Sequence, residues 1–198
     1  MKVLGLSGSP RQGNTAALLT RMLEGAASQG AQIKNFDLSI LNIKPCTHCD
    51  ACLKDGECNI NDDMQTLYRE METADAIILA SPLHFMTVTA NAKLFIDRCQ
   101  AIWARKYILG KPPLGDSKYR KGVFVSVAGR KGKHLFDAAR ITVKALFASL
   151  DVSYRGELLI AGVDEAGSIN CQPGVLDEAY RMGVCLAGQM EESNDSTL

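Results

Sequence analysis

Short continuous apolar runs alternate along this chain with longer stretches whose apolar residues recur every three or four positions. The first pattern predicts strands and the second helices. Residues 2–6 form the first apolar run. A helix follows over 14–29, with Leu18, Leu19, Met22 and Leu23 on one stripe and Gly30 as its stop. Residues 31–38 predict a second strand, and 39–61 a long connection. A helix over 64–73 carries Asp62 and Asp63 as caps at its positive end. Residues 75–80 are apolar throughout, as expected of a strand buried on both faces of a parallel sheet. A loop over 81–86 leads into one long helix, 88–107, with Ala92, Phe95, Ile96, Cys99 and Ile102 inward. Residues 110–122 are basic and rich in Gly and Pro, which predicts an exposed excursion. A strand over 123–127, a basic turn over 128–133, a helix over 136–150, a strand over 153–161 and a helix over 175–190 complete the pattern. Residues 191–198 read as a polar tail.

Strands that alternate with helices predict an α/β fold, a doubly wound five-stranded parallel sheet, within one domain over 1–190. Crossover rules favour the order 2-1-3-4-5. Strands one and three are then neighbours whose connections leave in opposite directions, and a crevice opens above their C-terminal ends. The loops 7–15, 81–87 and 128–133 all fall there.

The first of these loops has the composition of an anion site. Ser7, Ser9, Asn14 and Thr15 offer side-chain donors, Arg11 offers a fixed charge, and the following helix points its N-terminus at the same place. The loop lacks the lysine of a Walker motif, the glycine spacing of a dinucleotide fingerprint and the Gly-x-Ser-x-Gly of a nucleophile elbow. A single phosphomonoester fits it. An ordinary strand–turn–helix with serine caps is the plainer alternative, and Asn14 and Thr15 serve equally as caps. Phe85 and Met86 read equally as core or as ligand contacts. His84 reads as a partly exposed histidine, and Arg130, Lys131 and Lys133 as a solvated turn.

Composition narrows the function classes. The chain has 198 residues with 22 basic and 22 acidic side chains, so nothing electrostatic favours nucleic acid or an anionic membrane. It has no run of eighteen apolar residues and no charged-then-apolar leader, and a cytoplasmic protein is expected. Four of its seven cysteines, Cys46, Cys49, Cys52 and Cys58, crowd into a loop over 45–59. Four thiolates suit an iron–sulfur cube or tetrahedral zinc, and the same residues can remain free thiols. Cys99, Cys171 and Cys185 read as buried or inert. Trp103 and Tyr107, at the exposed end of a helix, suggest a subunit contact.

Gly8-Ser9-Pro10-Arg11 followed by Gly13-Asn14-Thr15 resembles the phosphate loop of the NAD(P)H-dependent FMN reductases, which have a flavodoxin-like fold. Ser81-Pro82, then Ala90, Lys93, Phe95 and Ile96-Asp97-Arg98, resembles that family's second signature. The spacing C-x2-C-x2-C-x5-C before Asp62-Asp63-Met64 is similar to its iron–sulfur flavoprotein branch. The resemblance covers residues 1–135. It implies that Ser9, Arg11, Asn14 and Thr15 bind the FMN phosphate. It implies that Pro82, Leu83, His84, Phe85 and Met86 line the isoalloxazine, with Ala128, Gly129 and Arg130 on its other side. It implies a [4Fe-4S] cluster on the four cysteines and assembly into homodimers or homotetramers. NAD(P)H or a ferredoxin-like protein would be the donor, and a small molecule or protein the acceptor. The family often has an aromatic residue where His84 stands. A cluster-free quinone or flavin reductase, or a non-catalytic flavodoxin-like carrier or zinc module, are the competing functions.

Overall fold

The computed structural model describes residues 1–188. Its elements run in the order β1 Lys2–Ser7, α1 Asn14–Ser28, β2 Gln32–Asp37, α2 Cys52–Asp55, α3 Met64–Thr73, β3 Ala76–Ala80, α4 Ala90–Arg98, α5 Gln100–Tyr107, β4 Arg120–Ala128, α6 Asp137–Ser149, β5 Val152–Ala161 and α7 Val175–Ala187. The strands make one sheet, all parallel, in the order β2-β1-β3-β4-β5. This is the topology the sequence predicts.

The period-two alternation of strand side chains divides the core. Leu4, Leu6, Ile77, Leu79 and Phe124 face one side, against Met64, Leu67 and Met71 of α3, Phe95 and Ile102 of α4 and α5, and Val143 and Phe147 of α6. Val3, Ile78, Val123, Val125 and Val127 face the other, against Leu18, Leu19, Met22 and Leu23 of α1 and Ala179 and Leu186 of α7. Both faces of the central strands are therefore buried, which is why those strands read as unbroken apolar runs.

Three expectations need correction. The long helix over 88–107 is two helices, α4 and α5, that meet at Cys99. The Tyr68 hydroxyl donates to the Arg98 carbonyl at 2.6 Å and withdraws it from the helical ladder, so Ile102 N–H bonds Cys99 instead. The excursion over 110–122 is not wholly exposed. Arg120 opens β4 with only 1% of its surface exposed, and donates to the carbonyls of Glu72, Ala74, Leu114 and Lys118. It pulls the segment down until Leu114 is buried as well. Of the three scattered cysteines only Cys99 is buried; Cys171 and Cys185 are exposed. Residues 189–190 of the last predicted helix, and the polar tail over 191–198, lie outside the described residues.

Helices α1 and α7 touch backbone to backbone through two glycines. A Cβ on Gly25 would stand 2.0 Å from the Tyr180 carbonyl oxygen, and one on Gly183 would stand 1.9 Å from that of Met22. Neither helix can yield without leaving the sheet. Gly183→Ala is expected to cost about 3 kcal/mol, the upper range for overpacking. Urea unfolding checks this through the midpoint. Gly132→Ala, on an open turn with no neighbour in reach of a Cβ, is the control.

Candidate functional site

The crevice lies where the sheet order predicts. β1 runs into residues 8–13, β3 into 81–87 and β4 into 129–133, and together with Val163 and Asp164 after β5 they frame an open cleft of about 370 Å³. Ser9, Arg11, Gly13, Asn14 and Thr15 line one end, and Pro82, Leu83, His84, Val127 and Gly129 the other.

Backbone hydrogen bonding shapes each wall. Ser81 and Leu83 continue the β3–β4 ladder past the strand, donating to Val125 and Val127 at 2.9 Å each. Pro82 falls between them, at the one position where a missing N–H costs nothing. The Ser9 hydroxyl donates to the Arg11 carbonyl at 2.6 Å and curls the first loop on itself. The Thr89 hydroxyl, which caps α4, donates to the Gly8 carbonyl at 2.6 Å. A Cβ on Gly8 would meet that of Ala92 at 2.7 Å. The loop is thus seated directly on the start of α4.

The start of α1 has no capping side chain and no acid in its first turn. Its first N–H groups and the positive end of its dipole therefore face the crevice uncompensated. Ser9 and Thr15 are buried polar residues beside them, and the Thr15 hydroxyl bonds no other described residue. Backbone donors, the Thr15 hydroxyl and one exposed guanidinium together have the chemistry to receive an anion. Arg11 is anchored by a 2.9 Å bond to the Asp164 carbonyl.

The predicted residues divide. Ser9, Arg11, Asn14, Thr15, Pro82, Leu83, His84 and Gly129 converge on the crevice. Ser7, Phe85, Met86, Ala128 and Arg130 are not in its lining. Ser7 sits beneath the loop and accepts from Ser9 N–H at 3.4 Å. Phe85 and Met86 are neither core nor lining: they form the tip of a tight turn between His84 and Thr87, both at positive φ, with Phe85 fully exposed. Asn14 is no simple cap. Its amide donates to the Glu165 carbonyl at 2.8 Å and accepts from Ile169 N–H at 3.2 Å, tying the loop after β5 to the first loop. Asp164 and Val163 were missed, because nothing in their composition marks them and only the β5 register brings them here.

The four clustered cysteines line a second pocket, with Arg98, Ile60 and Ala101. Burial pushes the Cys52 thiol up, and its neighbours Cys58, Cys46 and Cys49 push it further, against a backbone hydrogen bond that lowers it. The loop is fastened at both ends by a buried ion pair. Arg98 donates to Asp62 Oδ2 at 2.5 Å and to the Lys44 carbonyl at 2.9 Å. It also donates to Cys58 Sγ and the Ile60 carbonyl at 3.3 Å each. Asp62 in turn accepts from the N–H groups of Lys44 and Met64. The predicted cap is therefore half right: Asp62 caps α3, while Asp63 accepts from Asn42 N–H instead. Among the described residues no three His, Cys, Asp or Glu side chains close on a single metal ion. The four irons of a cube sit on separate corners, so its ligands stand farther apart than those of one ion. A thiol-only donor set spread around a pocket fits a cube in type and number.

A profile of the family described as NADPH-dependent FMN reductase matches residues 1–153. The chain belongs to that family. An iron–sulfur flavoprotein of Archaeoglobus fulgidus is 34% identical over 178 residues, which cover 88% of this chain and 83% of that one. Another from the same organism is 41% identical over 112 residues, 56% of this chain and 51% of that one. The chain thus spans about half the length of that relative. Among solved structures, an NAD(P)H:quinone oxidoreductase from Methanothermobacter marburgensis superposes with a TM-score of 0.76 at 20% identity, covering 96% of this chain and 98% of that one. That likeness carries the flavodoxin-like fold of the FMN reductase family. Among the described residues no helix is long and apolar enough to cross a membrane.

The Asp62–Arg98 pair yields a pH prediction. Burial raises the Asp62 carboxyl, but the Arg98 hydrogen bond and the two N–H donors outweigh it and hold it below the usual carboxylate range. Between the two values the unfolded chain binds the extra proton, so stability is fully present above the ordinary carboxylate pKa and is lost as pH falls towards the folded one. Asp62→Asn leaves Arg98 buried and unpaired, and is expected to cost about 3–5 kcal/mol at pH 7. The gap between the urea midpoints of wild type and variant should close as the solution is taken below about pH 4.

Proposed function

We propose that this chain is an FMN-dependent oxidoreductase that also carries a [4Fe-4S] cluster, and that it moves electrons from NAD(P)H or a ferredoxin-like protein to a small-molecule or protein acceptor. The observation that carries the reading is the uncapped start of α1, surrounded by buried hydroxyls and Arg11 at the carboxyl edge of a parallel sheet. An FMN phosphate satisfies that end. Thr15, Arg11 and the first N–H groups of α1 would donate to it, while Ser9 shapes the loop around it and Asn14 holds the neighbouring loop in place. Pro82, Leu83 and Val127 would offer the FMN ring apolar contact, with Gly129 on the opposite wall. His84 reaches the same rim, and the Phe85–Met86 turn and Arg130 stand just beyond it.

When bound, FMN supplies hydride chemistry and a cluster supplies one-electron chemistry. The protein's part is to hold and to orient. Cys46, Cys49, Cys52 and Cys58 are the ligand set. Left-handed backbone at His48 and Asp50 turns the loop on either side of Cys49. The similar proteins of Archaeoglobus fulgidus are named iron–sulfur flavoproteins, which supports the cluster. The Trp103–Tyr107 pair, with ring centroids 5.6 Å apart and Tyr107 exposed, supports assembly into a homodimer or homotetramer.

Three measurements test this. Protein purified without air should be yellow-brown, hold one FMN and about four irons per chain, and oxidise NAD(P)H or accept electrons from reduced ferredoxin. Flavin without iron leaves the cluster-free reductase, and colourless protein that takes up no FMN ends the proposal. Arg11→Ala should weaken FMN about 10- to 100-fold by fluorescence titration, as loss of a charge-assisted hydrogen bond does. Cys52→Ser should lose iron while FMN affinity stays unchanged, because the flavin crevice shares no lining residue with the cysteine pocket.

A further inference from the structure

The cysteine loop is built on a buried cation. Arg98 is 1% exposed, and it lines the same pocket as the four cysteines. Two of its three nitrogens are used. Nη1 binds the Lys44 carbonyl, just before Cys46, together with Asp62. Nη2 binds Cys58 Sγ and the Ile60 carbonyl, just after Cys58. The third, Nε, is the one buried side-chain polar atom among the described residues that has no hydrogen-bond partner. A buried N–H without an acceptor costs about 1–3 kcal/mol, so its presence beside a pocket of thiols points to an acceptor there. Gln65 completes the buckle by donating to the carbonyls of Cys58 and Ile60.

We propose that Arg98 is a positioning residue for the cluster: it fixes Cys58 and both ends of the ligand loop, donates hydrogen bonds to cluster sulfur, and thereby raises the cluster's reduction potential. This rests on the cluster reading above. A cube that gains one electron gains one negative charge, and a cation held against its ligand sulfur in a dry site stabilises that form more than the oxidised one. Asp62 offsets part of the cation's charge but keeps the guanidinium in one orientation, because each carboxylate oxygen is also held by a backbone N–H. A bolt that merely held the loop would need no donor left over.

The test uses the full chain, reconstituted without air with ferrous iron and sulfide. Iron and sulfide are counted per chain, and the midpoint potential is read by electron paramagnetic resonance during a dithionite titration. Arg98→Lys keeps the charge but cannot reach four acceptors. It should assemble the cluster with a lower midpoint, by about tenfold in the ratio of reduced to oxidised form, or about 59 mV for one electron. Arg98→Met should bind less iron than wild type, with a midpoint lower still where cluster forms, while FMN affinity reports that the fold is intact. If both variants hold wild-type iron at the wild-type midpoint, Arg98 is a structural bolt and the inference is wrong. Should Arg98→Met fail to fold, as loss of FMN binding would reveal, the midpoint of Arg98→Lys alone decides. Wild-type protein that takes up no iron overturns the cluster reading itself, a different result from an unmoved potential.

Discussion

Two hydrogen bonds at the end of β1 mark the point on which the molecule depends. The Ser7 carbonyl accepts from Leu38 N–H at 2.8 Å on the β2 side, and Gly8 N–H donates to the Ala80 carbonyl at 2.7 Å on the β3 side. They are the last links of β1 to its neighbours. Beyond them β1 turns into α1 on one face of the sheet and β3 feeds the turn at 81–87 and α4 on the other, so these two connections diverge and a crevice opens between them. The crevice therefore always contains a helix start, whatever the side chains, and the side chains decide what that start can hold. Here nothing caps it.

The two candidate sites are built on opposite electrostatic principles. The crevice uses no buried formal charge: its attraction for an anion comes from backbone dipoles and hydroxyls, with Arg11 at the solvent edge. The cysteine pocket is built around a full charge taken out of water. That is costly unless partners surround the charge, and here one carboxylate, two carbonyls and a sulfur take four of its hydrogen bonds and leave Nε free. The first arrangement suits a ligand that binds and leaves. The second suits a loop whose shape must not change.

What was legible in the sequence follows from the range of each interaction. Leu18, Leu19, Met22 and Leu23 announce their helix because the stripe is local. Residues 76–80 announce a buried strand for the same reason, and from such elements the sheet order follows by topology. The first loop was legible because its donors are adjacent in the chain. The break at Cys99 was not: it is made by Tyr68, thirty residues away from the carbonyl it takes. Arg120 carries the same lesson, for a basic residue in a Gly- and Pro-rich stretch looks solvated until four carbonyls are found around it. Phe85 and Met86 could not be located from the sequence, because apolarity suggests burial, whereas positive φ at both residues directs their turn outwards.

Helix α4 joins the two sites. Its N-cap, Thr89, holds the Gly8 carbonyl of the anion loop, and its last residue, Arg98, holds the cysteine loop. The element between them is nine residues long, about 13 Å of helix. Ala92 and Phe95 bury its inner face completely, so it has no freedom to tilt. Movement at either end must then be carried by side chains rather than by the helix. At one end that is a hydroxyl with a single carbonyl to satisfy. At the other it is a guanidinium with four partners and a donor to spare. The same rigid rod thus fixes the floor of the crevice and the back wall of the cysteine pocket in one frame, and this is how a short second signature, 90–98, comes to matter to both.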